Sequence, residues 1–241
     1  MANQAIDWAG ATRMVSRMVP VTEVPADLTD FIADLRANAY RAGVLAAEVT
    51  GLRPIDGRDP AIEPIADIRI VDRAAWAKAN IETFAQLLDP VLADRSITRA
   101  RWFGALDIAA PLALLSPRVL GQFDPFGVGP GRLMLVAPNV VKVEQELEVV
   151  PGDFRLWVCL HEETHRVQFG VTPWLAEHLL TEVRGLVGDL LADPGAMADR
   201  LTSLLRGLPD VVRGEGTDAG LLDAVQTPEQ RERLAAVTAV M

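Results

Sequence analysis

Phe154-Arg155-Leu156-Trp157-Val158-Cys159-Leu160-His161-Glu162-Glu163-Thr164-His165 is the stretch on which the reading of this chain turns. It is an apolar run that enters an H-E-x-x-H motif. On a helix at about 100° per residue, His161 and His165 project from one face a turn apart with Glu162 beside them, the spacing two imidazoles need to bind one zinc ion. The stretch predicts a buried helix carrying metal ligands, and with it a metal-dependent hydrolase.

The flanks agree with a helix. Pro151-Gly152-Asp153 supplies a turn and a cap before it, and Val167, Phe169 and Val171 continue the apolar pattern until Gly170 and Pro173 break it. Thr172 then caps a further helix with Pro173 in its first turn, running through Leu175, Leu179, Val183 and Leu186. Gly195 and Gly207-Leu208-Pro209 mark interruptions, and residues from Pro228 to Met241 read as a last helix.

Upstream, Pro25 to Leu45 holds apolar residues at helical intervals and stops at Gly51 and Pro54. Ile68 to Val71 reads as a short strand, and Asp72 as the cap of a helix from Arg73 that stops at Pro90. Ala105 to Leu115 reads as helical with Pro111 kinking or dividing it. The glycines and prolines from Gly121 to Gly131 predict a loop, because so many of them crowd into eleven residues; they match no phosphate-binding arrangement. Arg132 to Val136 is the best strand candidate, with Val140 to Val143 extending or pairing with it.

Composition bounds the partners. The 241 residues are 50% apolar and carry 23 basic against 33 acidic side chains, a net charge of −10, which repels a nucleic-acid backbone or an anionic membrane. No run of about 18 apolar residues is present, and Met1 to Gly10 does not resemble a secretory signal. Cys159 is the only cysteine, so no intrachain disulfide forms and a cytoplasmic location is the expectation. Oligomeric state is not legible.

Zinc on two imidazoles and a third protein ligand keeps a position for water and lowers its pKa toward about 7. Glu162 is placed to take that water's proton and return it to a leaving amine, while Glu163 points about 100° further round and reads as solvated or salt-bridged. The third ligand is open. Gln168 and Val171 stand where the longer H-E-x-x-H-x-x-G-x-x-H motif needs Gly and His, which excludes that subclass. His178, the one other histidine, and Glu182 on the following helix are the nearby candidates.

Leu156 to Phe169, Thr172-Pro173-Trp174-Leu175 and His178-Leu179 resemble a zincin-like metallopeptidase family of actinobacteria, labelled as associated with deazaflavin-coenzyme biosynthesis. Val71-Asp72-Arg73 with Trp76 and Ala79-Asn80, Gly121-Gln122-Phe123-Asp124-Pro125-Phe126, and Leu135-Val136-Ala137-Pro138-Asn139 are also similar to that family's segments. The resemblance implies His161 and His165 as metal ligands, Glu162 as catalytic base, and the Val136-Ala137-Pro138-Asn139 segment near the motif helix. Relatives are expected to continue into a helix bearing an E-G-H segment. This chain stops at Met241, so a ligand beyond it is the third candidate.

The resulting expectation is an α+β chain, mainly helical and zincin-like, with a small sheet beside the motif helix and one domain spanning residues 1–241. Its expected function is zinc-dependent hydrolysis of amide bonds in a peptide or protein substrate. The alternative is a catalytically inactive zincin fold acting as a binding or scaffold protein. A di-iron bundle would need a second E-x-x-H, which the chain lacks.

Overall fold

The computed structural model describes residues 6–21, 28–55, 57–59, 66–94, 104–127 and 131–192. The expected interruptions at Gly195 and Gly207 to Pro209 and the last helix from Pro228 lie outside them. The chain divides into two compact units, residues 1–176 and 177–241. In the second, the described residues continue α7, where the Thr181 hydroxyl donates to the Glu177 carbonyl at 2.9 Å.

Seven helices and three strands are described in the order α1 (Trp8–Met18), α2 (Thr29–Thr50), β1 (Asp67–Val71), α3 (Arg73–Asp94), α4 (Ala105–Leu115), β2 (Gly121–Asp124), β3 (Arg132–Val136), α5 (Ala137–Glu146), α6 (Pro151–Val171) and α7 (Pro173–Ala192). The fold is mainly helical with one small mixed sheet, as the sequence implies.

The sheet order is β1-β3-β2. β1 runs parallel to β3 in the register Asp67 with Arg132 through Val71 with Val136, and β2 runs antiparallel from Gly121 with Leu135 to Asp124 with Arg132. Central β3 is buried at every position, which is why Leu133-Met134-Leu135-Val136 is a continuous apolar run and not an alternating one. Its Leu133 and Leu135 join Leu35, Ala39 and Ala42 of α2, Val140 of α5, and Val158 and Cys159 of α6 in the core. The alanines matter, because small side chains let α2 lie close along α6.

Several local expectations are corrected. Gly121 to Asp124 forms a strand inside the expected loop; Gln122 is held by the Trp76 indole at 2.6 Å, and both side-chain amides of Gln122 and Asn80 bond each other at 3.0 and 3.1 Å. Val140 to Val143 is helical, since Pro138 sits in the first turn of α5 and Val140 and Val141 bury on one face. Pro111 does not divide α4, and α3 runs through Pro90. Each proline removes one ladder hydrogen bond, and buried Trp76, Ile81 and Leu88 on α3 and Ala109, Leu112 and Ala113 on α4 offset that loss. The motif helix begins at Pro151 itself, after Val150, so Asp153 lies in its first turn and is not its cap.

α1 is an element that composition alone left unread. Asp7 caps it by accepting from the Gly10 N–H at 2.7 Å, and the Trp8 indole donates to Asp89 of α3 at 2.8 Å.

Candidate metal centre

α6 has two faces. Val158, Cys159, Glu162, Glu163, Arg166 and Val167 are buried, while Trp157, His161 and Thr164 are exposed and His165 lies half-buried between them. The helix rise and the i, i+4 spacing bring the two imidazoles together with ring centroids 5.1 Å apart and planes perpendicular. Trp157, one turn before, stacks on His161 at 5.9 Å and is itself stacked by Phe154 at 6.1 Å. This aromatic row restricts the rotation of His161.

Partial desolvation against the helix, and then the neighbouring His165, lower the pKa of His161, favouring the neutral imidazole that metal ligation requires. Nδ1 of His165 is buried without a hydrogen-bond partner. A buried nitrogen in that position costs free energy until something satisfies it, and a cation is one such occupant. The two imidazoles therefore fit two positions of a zinc site. Among the described residues, no group of three or more His, Cys, Asp or Glu side chains gathers to hold a metal ion. His178 and Glu182 lie on α7 in the second unit, four residues apart and hence on one face of that helix.

Glu162, next in sequence to His161, lies on the buried side of the helix, against β2. The residue is 6% exposed, and its carboxylate accepts a hydrogen bond from the main-chain N–H of Phe123. Burial pushes its pKa up to about 7, with the Phe123 N–H pulling in the opposite direction. The carboxylate is thus poised to take and release a proton near neutrality.

Gly121 makes room for it. A Cβ at that position would stand 2.6 Å from Cγ of Glu162 and 2.9 Å from Oε1, inside van der Waals contact. The requirement for glycine comes from the close approach of α6 to β2, and a Gly- and Pro-dense segment hides it from a reading of sequence alone.

Glu163 is salt-bridged, one of the two roles expected for it. It forms a buried ion pair with Arg166 one turn on, which draws its pKa down against the larger upward effect of burial. Arg166 is a supporting residue that the sequence reading did not single out, although its i, i+3 spacing from Glu163 is the available signal.

β2 is fixed from its other side. Asp124 accepts from the Thr83 hydroxyl at 2.7 Å and from Arg132 at 2.8 Å, all three residues being buried. Together with the Trp76-Gln122-Asn80 bonds, this ties the short strand to α3 and β3, and through Phe123 sets where Glu162 rests. The segments that carry the family resemblance meet here. Asn139, from the Val136-Ala137-Pro138-Asn139 segment, donates to the carbonyls of Ser116 and Val119 at 2.7 and 2.6 Å just before β2.

Among the described residues no helix is long and apolar enough to cross a membrane. No curated protein matches the chain. A crystal structure from Chloroflexus aurantiacus, of a candidate hydrolase described as having a novel fold, is similar over 87% of this chain and 68% of its own, at 29% identity and a TM-score of 0.55. The profile of the zincin-like metallopeptidases matches residues 6–241. With that match over nearly the whole length, the chain belongs to the zincin-like metallopeptidase family.

Proposed function

We propose that the protein is a zinc-dependent hydrolase of amide bonds in peptides or proteins, with His161 and His165 as metal ligands and Glu162 as general base. The observation that carries this reading is the joint geometry of α6: two imidazoles 5.1 Å apart, a buried unpartnered nitrogen on one of them, and a carboxylate between the helix and β2. A zinc ion held there would supply Lewis acidity toward a scissile carbonyl and acidify water. Glu162 accepts the water's proton, since its pKa of about 7 lets it be ionised and still basic near neutrality. It then returns the proton to the departing amine. The Phe123 N–H holds the carboxylate while it does so, and the apolar packing of α6 against α2 and β3 keeps water from its buried side.

The third ligand is proposed to come from outside α6, from among the candidates that the sequence offers. The narrower likeness to the actinobacterial, deazaflavin-associated branch rests on the motif segments of the sequence. A cytoplasmic location is proposed from the single cysteine, and the lack of a nucleic-acid or anionic-membrane partner from the net charge of −10.

The second reading, a zincin fold that binds without catalysis, is favoured by the described residues, among which no three His, Cys, Asp or Glu side chains gather at one point. A library of amide substrates separates the two. The zinc-loaded protein is expected to show chelator-sensitive cleavage that Glu162→Gln abolishes; cleavage unchanged by that substitution overturns Glu162 as base, and no cleavage of any library member by the zinc-loaded protein supports the second reading.

A further inference from the structure

Three arginines are buried among the described residues, and two of them face a carboxylate: Arg132 meets Asp124 at 2.8 Å and Arg166 is paired with Glu163. The half-buried Arg155 likewise bridges Glu144 and Asp34 at 2.7 and 2.9 Å. Arg73 differs. It is 6% exposed, and its hydrogen bonds go to neutral oxygens, the Asn139 side-chain carbonyl at 2.5 Å and the Pro20 main-chain carbonyl at 3.2 Å. The chain has 33 acidic residues to draw on, so a buried guanidinium with no carboxylate among its described hydrogen-bond partners is not forced by composition. Removing such a charge from water is unfavourable unless an anion faces it.

Arg73 also lines a cavity of about 410 Å³ away from the motif helix, at the junction of α1, α2, β1, α3 and α5. Among the described residues the remaining wall is largely apolar, including Val19, Leu28, Ile32, Ile70 and Pro138. α5 starts on this wall at Ala137, and no side chain caps its first turn. Its first amides thus add positive potential beside the guanidinium. The carboxylate that does line the cavity, Asp72, is exposed and caps its own helix by accepting from the Ala75 N–H at 2.6 Å.

We propose that this cavity is a binding site for a small carboxylate with an aliphatic tail, the carboxylate pairing with Arg73 and the tail lying against the apolar wall. The cavity's size is within the usual range for small-molecule sites, and one charged anchor in an apolar enclosure reads both ends of such a ligand. Desolvation lowers the pKa of Arg73, in accord with a guanidinium whose described hydrogen-bond partners are neutral. The site is separate from α6 and stands whether or not the proposed hydrolysis does.

Hexanoate is the probe, with hexanamide, acetate and inorganic phosphate as comparisons, read by calorimetric titration and by the melting temperature of the full chain. Hexanoate is expected to bind and raise the melting temperature, with each comparison compound weaker by about tenfold or more. Arg73→Gln is expected to lose that discrimination and Arg73→Lys to retain part of it. Because Arg73 also holds Asn139, Ile32→Trp serves as the second variant: it fills the apolar end, leaves Arg73 in place, and is expected to block hexanoate. The proposal is overturned if hexanoate does not bind, if hexanamide binds equally, if acetate or phosphate binds as well as hexanoate, or if folded Ile32→Trp binds hexanoate undiminished.

Discussion

The main-chain N–H of Phe123 on β2 donates to the carboxylate of Glu162 on α6, so the edge strand of a three-stranded sheet sets the position of the proposed base. The contact is possible because residue 121, two positions earlier on β2, has no side chain. Gly121→Ala is therefore expected to push Glu162 aside. Strain of this kind in a packed region costs about 1–3 kcal/mol. Chemical denaturation should show that loss, and zinc content should be preserved while hydrolysis falls; unchanged stability and activity would mean that α6 and β2 are further apart than described.

Folding moves Glu162 from a carboxyl titrating near 4.5 to one pushed up to about 7. The native state then binds the proton more tightly than the unfolded chain. Its contribution to stability is fully present below pH 4.5 and is lost as pH rises through 7, on the order of 3 kcal/mol in total. Glu162→Gln keeps an acceptor for Phe123 and has nothing to ionise. Urea denaturation of the metal-free proteins at about pH 5 and about pH 8 should show the Gln variant gaining on the parent at the higher pH; a constant difference would show that Glu162 titrates as an exposed carboxyl does.

Asp124 and Arg132 form a buried pair that also engages Thr83. Asp124→Ala leaves the Arg132 charge without its buried partner, for which about 3–5 kcal/mol is the usual cost. The expected result is a large drop in the urea midpoint with β2 loosened. A change of a few tenths of a kcal/mol would mean that the exposed Glu82, 3.7 Å from Arg132, suffices on its own.

Cys159 is fully buried, and its thiol pKa is pushed up to about 12, first by burial and then by Glu163, Glu162 and Asp34. A thiol in that state is a poor nucleophile. Native protein should react with an aromatic disulfide reagent only as fast as it opens, and denatured protein within the mixing time. Rapid modification of native protein would contradict the burial of the inner face of α6.

The most legible parts of the sequence were those where one signal dominates. The motif helix shows through H-E-x-x-H with apolar flanks, and β3 through an unbroken apolar run that only a strand buried on both faces needs. β2 was hidden, because Gln122 and Asp124 are held by side chains of α3 and β3 that no local pattern reveals. Val140 to Val143 favoured a strand by its β-branched residues, but Pro138 in the first turn of α5 and burial of Val140 and Val141 decided for a helix. Pro90 and Pro111 were read as breaks because local propensity does not count the tertiary packing on either side. For the site, His161, His165 and Glu162 were named from spacing alone, whereas Gly121 and Phe123 act through a close approach between distant segments. The third ligand has no local spacing to betray it.

The central claim is that His161 and His165 together hold zinc, and metal analysis of the purified, zinc-reconstituted chain tests it most directly. The account predicts about one zinc per chain, lost in both His161→Ala and His165→Ala while the fold is retained by circular dichroism. Zinc bound equally by the parent and by both folded variants, or by none of the three, would contradict it.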